Sequence, residues 1–454
     1  MTTLLVRGAD WCCTFDDDDT ELAGADVLVD EGVIAAIGVD LDVRGPVDRT
    51  VDGRGLVLLP GLVNAHQHLY QGACRAVPQL ERALIGPWLV ALGALVKGWW
   101  ADGRFGPDAV GAVSAAVLAE SLLGGVTTIA DQHYFFPSGP SLDYVEATSA
   151  AAGEVGVRLH ACRGSITDGP DPDVTQSVDE VVRHSETLIA SLHDPAPSAR
   201  MRVALAPCGP HVDVPELFDE LAALAIDHDG VRLHTHLYEH VDDEVCRARH
   251  GCTPWELLAA HGWAQPRTWL AHVVNPPPHE IPEMAAAGVG IAHLVAPDLR
   301  MGWGTAPVRD YLDTGCTVGF GTTGSASNDG ANLLGDLRLA VLAHRSTDPD
   351  DPDRWLTARE LLRAATRGSA DCLGRPELGR IAVGARADLA GWDLTTVDRV
   401  GVHDPVAGVL LTGLSSRASL VVVEGEVLVE HGVPTRLDVP AVAARARAAV
   451  PPLP

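Results

Sequence analysis

The chain is 454 residues long, room for two or three domains, and its 46% hydrophobic and 21% charged residues exclude global disorder. A formal net charge of −28 repels phosphate backbones and anionic lipid, which sets nucleic acid and membranes aside and leaves small molecules as the expected partners. There is no apolar run of about 18 residues, and residues 1–8 lack the basic-then-apolar order of a secretory signal, so a cytoplasmic enzyme is the expectation.

Residue counts narrow the chemistry. Nine Cys are scattered without a CxxC pair, which signals neither a disulfide framework nor a Cys-based zinc site. Lys97 is the sole lysine, so there is no GxxxxGK[ST] phosphate loop. A Schiff-base or carbamylated lysine would have to be Lys97, beside Trp99 and Trp100 in a helix-like apolar stretch. The 19 His direct attention to metal chemistry instead.

In chain order, β-rich runs come first, at 4–7, 27–29, 33–37 and 56–59, the last ended by Pro60-Gly61. The middle alternates. Apolar runs at 62–65, 126–130, 157–160, 203–206, 231–236, 269–272, 289–292 and 318–321 are spaced by helix-like stretches such as 109–123, 178–192, 215–226 and 333–344. Eight β/α alternations predict an α/β protein of the (β/α)8 TIM-barrel class. A doubly wound open sheet is the alternative, but no GxGxxG follows the first strand. The acidic stretch 348–353 reads as a solvated loop. Strand signals return at 387–392 and 420–429. The expectation is therefore a barrel over 58–374 and a small β-sandwich built from both termini, 1–57 with 375–454.

The predicted strand ends carry the chemistry. His66 and His68 flank Gln67, and alternate strand residues share a face, so both imidazoles point the same way. His234 and His236 repeat that pattern on the fifth strand, with Glu239 where the strand opens into its loop. His272 ends the sixth. Alone, each His reads as a hydrogen-bonded core residue. Together at the C-terminal rim of a barrel, they read as a metal centre.

At Leu59-Pro60-Gly61-Leu62-Val63-Asn64, Asp131-Gln132-His133 and Gly384-Ala385-Arg386-Ala387-Asp388-Leu389, the chain resembles the amidohydrolase superfamily, in the branch of guanine, 8-oxoguanine and triazine aminohydrolases. The resemblance implies a barrel with a two-ended β-sandwich. It implies His66, His68 and His236 as ligands of one divalent ion, most often zinc, with iron or no metal as the alternatives. It makes Glu239 the carboxyl that protonates a ring nitrogen and His272 the imidazole beside the attacking water. Gln71, His133 and Asp298 are implied to face the substrate. Family members often form homodimers.

The eighth strand departs from the branch. Gly321-Thr322-Thr323-Gly324-Ser325 places Thr323 where an Asp usually takes the water's proton, and Thr is a poor base and ligand. The triazine hydrolase subgroup shares this feature, and the chain resembles it at Gln67-His68-Leu69-Tyr70, across 296–304 and across 317–329. Chloride and thiolates leave with little protonation, whereas an amine must first take a proton. One carboxyl then suffices. The expected activity is displacement of a leaving group from an s-triazine-like ring. Deamination of a purine- or pterin-like ring, with another group such as Asp298 as base, is the second reading. A non-catalytic heterocycle-binding protein is the third.

Overall fold

The computed structural model describes residues 3–137, 141–169, 171–412 and 417–453. The chain opens with β1 (Thr3–Cys13), β2 (Glu21–Asp30), β3 (Val33–Val39), β4 (Arg49–Asp52) and β5 (Leu56–Pro60). Eight parallel strands follow: β6 (Leu62–Gln67), β7 (Val126–His133), β8 (Arg158–Arg163), β9 (Met201–Leu205), β10 (Arg232–Leu237), β11 (Thr268–His272), β12 (Gly290–His293) and β13 (Thr317–Phe320). Each overlaps an expected run. The chain then returns through β14 (Leu389–Asp393), β15 (Leu420–Val423), β16 (Glu426–Glu430) and β17 (Val433–Pro434).

Both termini build one β domain, as expected. Its nine strands are hydrogen-bonded in a single mixed sheet, ordered β17-β16-β15-β14-β5-β1-β2-β3 with β4 beside β1. Strand β5 reads as an unbroken apolar run because it serves two cores. Leu56 and Leu58 pack with Leu4, Val27 and Leu420 of the terminal domain, while Val57 and Leu59 join the larger core beneath the barrel helices.

Strands β6 to β13 run side by side in sequence order, and every strand pair is parallel. Connections through helices such as Pro107–Leu123 between β6 and β7, Val178–Leu192 between β8 and β9 and Pro215–Ile226 between β9 and β10 force that direction. Small interior residues (Ala65, Ala130, Cys162, Ala204, Ala292) leave space for Trp269, whose indole N–H donates to the Ala65 carbonyl at 3.0 Å. The ring closes between β13 and β6 just past the strand ends. The amides of Thr322 and Thr323 donate to the His66 carbonyl at 3.2 and 3.0 Å, and Asn64 donates to the Thr322 hydroxyl at 2.8 Å. Gly321 permits this approach, since a Cβ there would sit 2.7 Å from the His66 oxygen.

The apolar stretch holding Lys97 forms a helix, Ile85–Ala101. Lys97 itself is engaged with Asp171 and Asp173, each at 2.7 Å. None of the nine cysteines is paired. No described helix is long and apolar enough to cross a membrane.

Candidate active site

Three imidazoles converge at the C-terminal rim. His66 and His68 come from the end of β6 and His236 from β10, and all three are buried. His236 Nε2 lies 3.2 Å from Nε2 of both His66 and His68. Their outer nitrogens decide the tautomers, because a carbonyl can only accept. His68 Nδ1–H donates to the Gln132 carbonyl at 2.8 Å, and His236 Nδ1–H to that of Cys208 at 2.5 Å. His234 Nδ1–H donates to the Trp269 carbonyl at 2.9 Å, so its Nε2 must accept, and it accepts from His66 Nδ1–H at 2.7 Å.

Three bare Nε2 lone pairs therefore face one point. Uncompensated, they repel. A tetrahedral ion with bonds of about 2.0–2.1 Å needs ligand nitrogens roughly 3.3 Å apart, which is the spacing found. The donor set thus fits a metal ion. Burial, and then mutual repulsion, holds the pKa values of His66 and His68 well below the usual imidazole range, and burial brings His236 to about 4. All three are neutral near pH 7, as ligands must be.

Glu239 follows β10 on backbone bent by positive φ at Tyr238 (58°) and His240 (76°). His272 (71°), Val273 (48°) and Thr323 (51°) share this left-handed conformation, so strain gathers at the rim. Glu239 Oε1 lies 3.4 Å from His272 Nε2, and His272 Nδ1–H donates to Asp298 Oδ1 at 2.6 Å. Burial, and then the charge of Asp242, raises the Glu239 carboxyl well above the ordinary range. A carboxyl so placed holds its proton to higher pH than a free one and can deliver it.

These groups open onto a narrow cleft. Gln71, Glu239, His272, Thr323 and Ser327 line one part, and Trp88, Leu89, Met301 and Trp303 another. Gln71 donates to the Tyr134 hydroxyl at 3.0 Å. Among the described lining residues, Glu239 is the one carboxyl, and Thr323 occupies the eighth strand's end.

Two of the residues expected to face the substrate do not line this cleft. One is His133. At the end of β7 its side chain turns outward, donating to the Phe135 carbonyl at 2.8 Å and packing on Phe136 and Tyr144. Strand alternation gives the inward place to Tyr134. Asp298 is also not a lining residue: it is fully buried behind His272, which it orients. Cys208, His211, Trp88 and Trp303 line the cleft without having been singled out by sequence. The two tryptophans lie in the apolar stretch 85–101 and in the stretch 296–304, but nothing local tells that they cover the rim.

A sequence model of the Amidohydrolase family matches residues 57–428. The chain belongs to this family. It is a metal-dependent hydrolase, and His66, His68 and His236 form a cluster that can hold the metal. This amidohydrolase is 36% identical over 442 residues to 8-oxoguanine deaminase of Pseudomonas aeruginosa, covering 96% of each chain. It is 35% identical to hydroxydechloroatrazine ethylaminohydrolase of Pseudomonas sp. strain ADP, covering 95% of this chain and 92% of that one. Among solved structures, it is similar to atrazine chlorohydrolase of Arthrobacter aurescens TC1 complexed with zinc. The TM-score is 0.97 and the identity 56%, over 99% of this chain and 100% of that one. A Glu-to-Gln mutant of the same enzyme, complexed with zinc and atraton, matches equally well.

Proposed function

We propose that this amidohydrolase displaces a leaving group such as chloride or a thioether from an s-triazine-like ring, with zinc held by His66, His68 and His236. The observation that carries the reading is that Glu239 is the one carboxyl among the described cleft-lining residues, with Thr323 at the eighth strand's end. Similarity to a zinc-containing atrazine chlorohydrolase over the whole chain supports it.

Held by His66, His68 and His236, zinc would supply the Lewis acidity that makes water a nucleophile near neutral pH. The protein's own groups do the rest. Trp88 and Trp303 offer faces for a flat ring. Glu239, kept protonated by burial, gives its proton to a ring nitrogen, which makes the neighbouring carbon more electron-poor. His272, its tautomer set by Asp298, presents Nε2 to Glu239 and to the incoming oxygen. Chloride or a thiolate departs with its bonding electrons and needs no further acid.

A leaving-group panel on one ring tests the proposal. Protein of measured zinc content is given s-triazines that differ only in a chloro, methylthio or amino substituent. The expected result is release of chloride and thiol faster than ammonia. Ammonia release from purines or pterins without halide release would replace this reading with deamination.

A further inference from the structure

The opposite mouth of the barrel is lined by three arginines and a histidine. His160 on β8 and Arg202 on β9 stand opposite each other in register, two residues below the interior-facing Cys162 and Ala204, so alternation turns both inward. Arg232 starts β10, two residues below His234. Arg375 enters from the segment that plugs this end with Ala370, Cys372, Leu373 and Leu378. His160 and Arg375 are fully buried, and Arg202 nearly so.

The four side chains share neighbours. Arg202 and Arg375 both reach Glu377, Arg202 at 3.7 Å. Arg202 also donates to the Gly374 carbonyl at 3.3 Å, and a Cβ on Gly374 would lie 3.0 Å from Arg232 Cδ. Burial, and then the charges of Arg375, Arg202 and Arg232, pushes His160 well below its ordinary pKa, so its ring is neutral.

Charge here is out of balance. Arg202 and Arg375 divide one carboxylate. Arg232 donates to the Cys372 carbonyl at 2.7 Å and forms no ion pair among the described residues, Asp371 being the acid near enough to act on it. Asp388 and Glu424 are taken by Arg158 and Arg386. Hydrogen bonding is equally one-sided. Arg202 Nε, Arg232 Nε, Arg375 Nη1 and both His160 nitrogens are buried without partners. Three of these atoms can only donate, and a neutral imidazole adds a fourth donor against one acceptor. A water molecule brings two more donors to a place already short of acceptors. An anion brings none.

We infer that the N-terminal mouth of the barrel binds a small inorganic monoanion of the halide class, which accepts from Arg202, Arg232, Arg375 and His160 and ties β8, β9 and β10 to the chain entering the terminal sheet. This site is independent of the reading of the active site.

The test uses the full-length, zinc-loaded protein. Tm is measured while chloride or bromide replaces gluconate at constant ionic strength, and crystals grown in bromide are examined at the bromine absorption edge. The expected result is a saturable rise in Tm of about 2 °C or more, with an anomalous peak between His160 and Arg375. A Tm indifferent to the exchange, or ordered water without anomalous signal at that point, overturns the proposal. Arg232→Met is expected to cut the halide-dependent rise by about half or more while retaining activity. An undiminished rise in that variant overturns it as well.

Discussion

His66 Nδ1 lies 2.7 Å from His234 Nε2, and the second ring fixes the proton of the first. His234 takes no place in the cleft. It is stacked on Trp269 at 4.2 Å between ring centres and held by the Trp269 carbonyl, so its free nitrogen can only accept. His66 is thereby committed to present a bare Nε2 to the metal. His234→Leu is expected to lower zinc affinity about 10–100-fold, and His234→Gln, which keeps an acceptor, to recover part of the loss. Chelator competition reads both.

Glu239→Gln removes the one acid facing the cleft. Turnover is expected to fall by about 10²–10⁴-fold with zinc content unchanged. Retention of most activity removes Glu239 from its role. With Glu239 as the proposed acid its protonated form is the active one, so kcat is expected to decline as pH rises through this carboxyl's elevated pKa.

Thr323→Asp restores a second carboxyl at the eighth strand's end. The ratio of ammonia to chloride release from matched s-triazines is expected to rise roughly tenfold or more. An unchanged ratio counts against the leaving-group argument.

Stability against pH follows from two sets of buried groups. Burial lowers His133 and His344 to about 4 and His184 and His211 to about 3, so the folded state binds fewer protons than the unfolded one up to about pH 6.5. Stability from these groups is lost as pH falls. Burial raises Asp131, Asp213 and Asp242 to about 7 and Asp336 to about 8. For these the folded state binds more protons, so their stability is lost as pH rises through those values. Between about pH 4 and 6.5 the two sets oppose each other, four groups against four, so Tm is expected to stay nearly flat there and to decline from about pH 6.5 to 8. Asp336→Asn is expected to flatten the part of the alkaline limb nearest pH 8.

Gly321→Ala places a methyl group 2.7 Å from the His66 carbonyl oxygen. The seam between β13 and β6 must then open, at a cost of about 1–3 kcal/mol. Lower Tm and lower zinc content are expected together, because the same carbonyl belongs to a proposed ligand.

Much of the architecture was legible along the chain because it rests on local periodicity. Eight apolar runs alternating with helix-like stretches announce parallel strands, whatever their neighbours. His66 and His68 share a face through strand alternation alone, and the tertiary structure then draws His236, Glu239 and His272 to the same rim. The failures lie where the spacing was right but the direction depended on distant packing. His133 and Tyr134 are adjacent, and only the fit of β7 against Phe136 and Tyr144 turns the first outward. Asp298 carries the charge of a substrate-binding group, yet burial behind His272 makes it a positioning residue.

The amino-acid sequence by itself determined the order of strands, the closure of both termini into one β domain and the imidazoles and carboxyl, His66, His68, His236, Glu239 and His272, that meet at the rim. Only the tertiary structure decided what those groups do. A nitrogen becomes donor or acceptor according to which carbonyl lies within about 3 Å of its partner atom. Here those carbonyls belong to Gln132, Cys208 and Trp269, which lie far from the imidazoles they orient, on other strands or just beyond their ends.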